Sequence, residues 1–102
     1  MEVTLDPVTS IPEGEGRTFS IGKARLAVFR GRSGEVFATQ ADCPHKGGPL
    51  ADGLLGGSTL ICPLHAQKFD LTTGAALSGG CQLKTYPARL SATGQILVEI
   101  DA

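Results

Sequence analysis

Short apolar runs alternate with glycine-bearing turns along most of this chain, and the runs are too short and too closely punctuated for helices. Residues 24–29 and 35–39 flank Gly31-Arg32-Ser33-Gly34, the pattern of a β-hairpin. A short strand at 58–61 is entered through Gly56-Gly57 and runs directly into Cys62. Residues 68–71 predict another strand, turning at Thr72-Thr73-Gly74. Residues 83–90 and 95–100 predict a final hairpin around Ser91-Ala92-Thr93-Gly94. In its second strand Ile96, Val98 and Ile100 alternate with Gln95, Leu97 and Glu99, the period of two that marks one buried face. Ahead of these lies a polar opening segment, residues 11–16, and no window carries a sustained helical period. The pattern predicts an all-β fold, a small antiparallel sandwich or barrel with two long loops before and after the strand at 58–61.

Composition narrows the function classes. The 102 residues are expected to form a single domain, 1–102, too short for a catalytic domain plus a cofactor domain. An apolar content of 41% suffices for one modest core, and fourteen glycines with six prolines favour turns over helices. A formal net charge of −1 with no basic stripe argues against nucleic acid as a partner. No apolar run reaches the roughly eighteen residues of a membrane span. The start, Met1-Glu2-Val3-Thr4, lacks the charged and apolar regions of an export signal, so a cytoplasmic location is expected.

Both histidines and two of the three cysteines fall into one paired pattern, Cys43-Pro44-His45 and Cys62-Pro63-Leu64-His65. Two thiolates and two imidazoles in two loops, at about 42–54 and 62–68, point to metal chemistry. The first loop is too rich in Gly and Pro for regular structure, and its length inside a small domain is a mark of function. Pro44 and Pro63 each follow a ligand cysteine and stiffen the backbone beside it. A tetrahedral zinc on Cys43, His45, Cys62 and His65 is one reading. Zinc knuckles, however, usually pair like with like, whereas here each loop supplies one Cys and one His. That mixed pairing suits a two-iron cluster with Cys43 and Cys62 on the inner iron and His45 and His65 on the outer one. A nucleophile–base pair of Cys43 and His45 would leave the second matched pair without purpose. Cys81, remote from the pattern, reads as a small buried hydrophobe. Phe29, Phe37 and Phe69 read as core and Tyr86 as core or edge strand. Lys46 and Lys68 flank the expected tip, as solvated lysines or as guides for an acidic partner.

At these residues the chain resembles Rieske iron–sulfur proteins, whose motifs are Cys-x-His and Cys-x-x-His. The likeness covers residues 11–100, including Cys-Pro-His-Lys-Gly-Gly-Pro-Leu at 43–50, Ile-Cys-Pro-Leu-His at 61–65, Lys-Phe-Asp-Leu-Thr-Thr-Gly at 68–74 and Cys-Gln-Leu-Lys-Thr-Tyr-Pro-Ala-Arg at 81–89. It implies the Rieske fold, three stacked antiparallel sheets with one [2Fe–2S] cluster held at a tip between two loops, and one-electron transfer as the activity. In membrane-anchored Rieske subunits an extra cysteine in each loop forms a disulfide; the matching positions here are Gly48 and Leu64. The serine and tyrosine whose hydroxyls support that cluster are matched by Gln67 and Phe69, which implies a low-potential, ferredoxin-type centre. The chain is similar both to small subunits of assimilatory NAD(P)H nitrite reductases and to the Rieske ferredoxins of ring-hydroxylating dioxygenases. The implied partners are therefore an electron-donating reductase and either a terminal oxygenase or a nitrite reductase large subunit. The chain by itself is not expected to be an enzyme, since both histidines are already used and no mononuclear iron triad can be built. A redox-silent docking subunit is the competing class.

Overall fold

Leu26, Ala27, Val28 and Phe29 are consecutive and each is fully buried, which a strand with one wet face cannot achieve. A computed structural model of the chain explains how. It describes residues 2–32, 34–42, 49–62, 68–75, 77 and 82–100. Among these the strands are β1 (Glu2–Pro7), β2 (Gly16–Ile21), β3 (Ala24–Arg30), β4 (Val36–Gln40), β5 (Leu54–Gly56), β6 (Thr59–Ile61), β7 (Lys68–Asp70), β8 (Thr85–Tyr86), β9 (Ala88–Leu90) and β10 (Gln95–Glu99). They form three antiparallel sheets: β1-β10-β9, β2-β3-β4-β8 and β5-β6-β7.

The four-stranded sheet lies between the other two. One face of it, through Leu26, Val28, Val36 and Ala38, packs on Ile96, Val98 and Ile100 of the first sheet. The other, through Ala27 and Phe29, packs on Leu50, Leu60, Cys62, Phe69, Leu71 and Leu83 around the third. A strand covered on both faces needs an unbroken apolar run, whereas β10, covered on one, needs alternation. The expected alternation in β10 is present, with Ile96 and Val98 fully buried and Glu99 exposed.

The hairpin of β3 and β4 forms as expected, in the register Val28↔Ala38 and Phe29↔Phe37. Phe29 and Phe69 are fully buried, Phe37 packs against the same cluster, and Tyr86 sits on the edge strand β8. Three expectations need correction. Residues 83–90 are not one strand: they break at Pro87, which has no N–H to continue a ladder. Thr85–Tyr86 pairs with β4, while Ala88–Leu90 pairs with β10, so the chain changes sheets at the proline. The stretch 42–54 is not wholly irregular, because Leu50–Asp52 forms a 3-10 turn and β5 begins at Leu54. Regular structure also starts before residue 24, in β1 and β2, and Ile11 of the polar opening segment is fully buried.

Candidate metal centre

The described residues build the stems of both ligand loops. β4 ends at Gln40, and two residues later Asp42 pairs with Pro49 in an isolated antiparallel bridge. Leu50 N–H donates to the Ala41 carbonyl at 2.9 Å, so the chain on either side of 43–48 is tied together. The second stem is a hairpin: Leu60 pairs with Phe69 and Ile61 with Lys68, bracketing 63–67. Cys62 stands one residue past β6 at the mouth of that stem.

The two stems are joined to each other. After Pro49 the chain makes the 3-10 turn Leu50–Asp52, passes Gly53, and enters β5, whose Leu54 pairs with Ile61. Gly53 lies so close to β6 that a Cβ there would sit 2.5 Å from the Ile61 carbonyl oxygen and 3.0 Å from Leu60 Cδ1. Gly16 performs the same service on the other side, since its Cβ would meet the Phe29 ring at 2.5 Å and the Ala51 Cα at 3.3 Å. Leu50, Leu60, Cys62 and Phe69 then share one buried cluster. Burying each of those large side chains contributes about 1.5–3 kcal/mol, so the stems are anchored in the core.

Cys62 is 1% exposed within this apolar cluster. A thiolate in such surroundings is strongly disfavoured unless it is bonded to a cation, whereas a metal-bound thiolate fits there well. A buried cysteine at the mouth of a β-hairpin stem is compatible with a thiolate ligand of an iron–sulfur site. Cys43, His45 and His65 lie outside the described residues, as do Lys46, Gly48, Leu64, Ala66, Gln67 and Cys81. Phe69, at the position matched to a tyrosine, is fully buried one rung from Ile61 and brings no hydroxyl. Lys68 is exposed at the base of the second loop.

Charges around the stems are modest. Arg25 Nη1 donates to Asp42 Oδ2 at 3.0 Å, with both side chains about half exposed, so this pair is worth little by itself. Asp70, at the end of β7, accepts at Oδ1 from the Thr72 hydroxyl (2.6 Å) and the Thr72 N–H (2.9 Å). The hydroxyl and then the backbone donor hold its carboxyl below the ordinary 3.8, against a smaller opposing effect of desolvation. Sequence reasoning passed over Gln40 and Gly53. A glutamine at a strand end carries no distinctive signal, and one glycine among fourteen does not announce which backbone it must admit.

No helix among the described residues is long and apolar enough to cross a membrane. The pattern of the Rieske [2Fe-2S] domain family matches residues 1–87. The chain is 37% identical over 82 residues to the ferredoxin component of the naphthalene 1,2-dioxygenase system of Pseudomonas aeruginosa, covering 78% of each chain. Among solved structures it superposes on a protein assigned as the NADH-dependent nitrite reductase small subunit of Mycobacterium tuberculosis. That match has a TM-score of 0.91 and 25% identity, covering 100% of this chain and 96% of the other. It also superposes on the ferredoxin in the complex of reduced oxygenase and oxidized ferredoxin of carbazole 1,9a-dioxygenase, with a TM-score of 0.81 and 28% identity over 95% and 100% of the two chains. Three stacked antiparallel sheets, a buried cysteine at the mouth of the second of two joined loop stems, and the family match over 1–87 together make this chain a member of the Rieske [2Fe-2S] domain family, with one Rieske-type cluster as its cofactor.

Proposed function

We propose that the chain is a low-potential Rieske ferredoxin, a one-electron carrier between a reductase and a terminal oxidoreductase, with no catalytic site of its own. The observation that carries this is the 37% identity, over most of both chains, to a dioxygenase ferredoxin component. Cys43, His45, Cys62 and His65 are the proposed ligands, with the two cysteines on the inner iron and the two histidines on the outer. When bound, the cluster supplies a single-electron couple. The chain's own contribution is to hold the ligand loops still: stems pinned by Asp42↔Pro49 and Ile61↔Lys68 leave little to reorganise between oxidation states. Phe69 and Gln67 offer no hydroxyl to the sulfurs, which favours a potential near the low end of the Rieske range, roughly −150 mV. The partners proposed are a reductase and an oxygenase, in a cytoplasmic setting.

The test is direct. The purified holoprotein should show the visible absorption of an oxidised Rieske cluster and an EPR signal after dithionite. It should also couple a ferredoxin reductase to a ring-hydroxylating oxygenase. A colourless, zinc-containing protein, or a cluster that a reductase cannot turn over, would overturn the carrier reading in favour of a structural metal or a docking subunit. A midpoint above roughly +100 mV would overturn the low-potential assignment. A second reading, the small subunit of a nitrite reductase, is favoured by the TM-score of 0.91 over the whole chain. Stable co-purification with a nitrite reductase large subunit, and no oxygenase turnover, would select it.

A further inference from the structure

One polar side chain near the loop stems has two partners on separate segments, and nothing in the carrier role above uses it. Gln40, the last residue of β4, is half-buried. Its Nε2 donates to the Asp42 carbonyl at 2.7 Å, and its Oε1 accepts from the Lys84 N–H at 2.9 Å. Its own backbone N–H donates to the Lys84 carbonyl, also at 2.9 Å. Only this orientation of the amide satisfies both contacts, because turning it over would set NH2 against N–H and oxygen against oxygen.

The two partners lead in different directions. The Asp42 carbonyl belongs to the peptide unit that joins Asp42 to Cys43, and a peptide unit is planar. Holding that oxygen therefore holds the direction in which the chain leaves the stem toward its first proposed ligand. A hydrogen bond to an amide oxygen also polarises the amide, strengthening its N–H as a donor. On the other side, residue 84 follows Leu83, whose N–H donates to the Gly74 carbonyl at 2.8 Å. Gly74 N–H in turn donates to the Asp70 carbonyl at 2.6 Å, at the end of the strand that leaves the second loop. Gly74 takes a positive φ of 79°, and a Cβ there would collide with the Leu83 carbonyl, so this junction is close-packed. The two loop stems are thus linked twice: directly through Gly53 and β5, and around the other side through Gln40, residues 83–84 and Gly74.

We propose that Gln40 is a positioning residue for the cluster: its side-chain amide fixes the stem of the first ligand loop, and through that stem governs how firmly the cluster is held and its reduction potential. The proposal rests on the carrier reading above. The experiment compares the holoprotein with Gln40→Met, which keeps length and loses both side-chain hydrogen bonds, and Gln40→Glu, which keeps the acceptor toward Lys84 but loses the donor toward Asp42. Readouts are the rate of iron release to a chelator, the midpoint potential and the reduced-state EPR spectrum. In Gln40→Glu release accelerates about tenfold, the equivalent of one net hydrogen bond, and in Gln40→Met, which loses two, by at least as much. The midpoint falls and the EPR g-values shift, with the greater fall in Gln40→Glu because it adds a negative charge. Far-ultraviolet circular dichroism stays that of the parent. Unchanged release, midpoint and g-values in Gln40→Met would overturn the proposal; if that variant fails to fold, Gln40→Glu decides on the same three readouts. A parent protein without an iron–sulfur cluster defeats both readings, whereas a normal parent cluster insensitive to Gln40 defeats this one alone.

Discussion

Cys62 combines two properties that seldom coincide in a surface loop: it follows an edge of regular structure by one residue, and its side chain is essentially out of reach of water. If it is an inner-iron ligand, Cys62→Ala should abolish bound iron and sulfide, measured by metal and acid-labile sulfide analysis. The small alanine should leave the sheets in place, read by circular dichroism. A buried cysteine that only packs would leave the iron content untouched. Asp70 makes a different kind of claim. Thr72 donors hold its folded carboxyl below the ordinary 3.8. A depressed carboxylate stabilises the fold above its unfolded value, and that contribution disappears as pH falls through the lower folded value. The stability difference between the parent and Asp70→Asn, followed by denaturant titration, should therefore be present at pH 7 and vanish well below the ordinary carboxylate range. A difference that persists unchanged into strong acid would sink this account.

At the scale of the elements, glycine placement decides how closely the two loop stems approach. Gly53→Ala puts a Cβ against the Ile61 carbonyl, a backbone atom that cannot swing aside. Overpacking of this kind costs roughly 1–3 kcal/mol, and the disturbed joint between β5 and β6 should also lower cluster occupancy. Gly56→Ala, three residues further along the chain at the end of β5, meets nothing within 4 Å and serves as the control. Denaturant midpoints and iron content of the two variants check the contrast; equal effects would show that proximity at Gly53 is unimportant. Pro87 is the other element-scale device. The hydropathy of residues 83–90 suits a single strand, and nothing local says that its halves belong to different sheets. The proline makes the break possible, but the partner of each half is settled by β4 and β10.

For the molecule as a whole, the four-stranded sheet is the partition between the core that contains Cys62, a proposed ligand, and a second core on its opposite face. A cofactor that binds only the folded state stabilises it by mass action, and the effect concentrates where the ligands are. Removing the cluster should therefore lower the melting temperature and weaken hydrogen-exchange protection at Leu60 and Phe69, while Ile96 and Val98 stay protected. Uniform loss across both cores would argue that the sheets do not open separately. The all-β class and the β3–β4 and closing hairpins were legible from the chain alone, and the paired Cys and His spacing is what proposes the four ligands. Each is a local property: a period of two, a glycine turn, a Cys and a His at short spacing. The strands β1, β2 and β5 were not legible: β1 pairs with β10 at the far end of the chain, β2 carries few apolar positions, and β5 is only three residues long. The sequence by itself determined which side chains can bind metal and which faces are apolar. Only the tertiary structure decided that β3 is covered on both sides, that Pro87 divides a strand between two sheets, and that Gly53 and Gln40 join the loop stems. Those outcomes depend on contacts between distant segments, and no single segment carries the geometry of its partner.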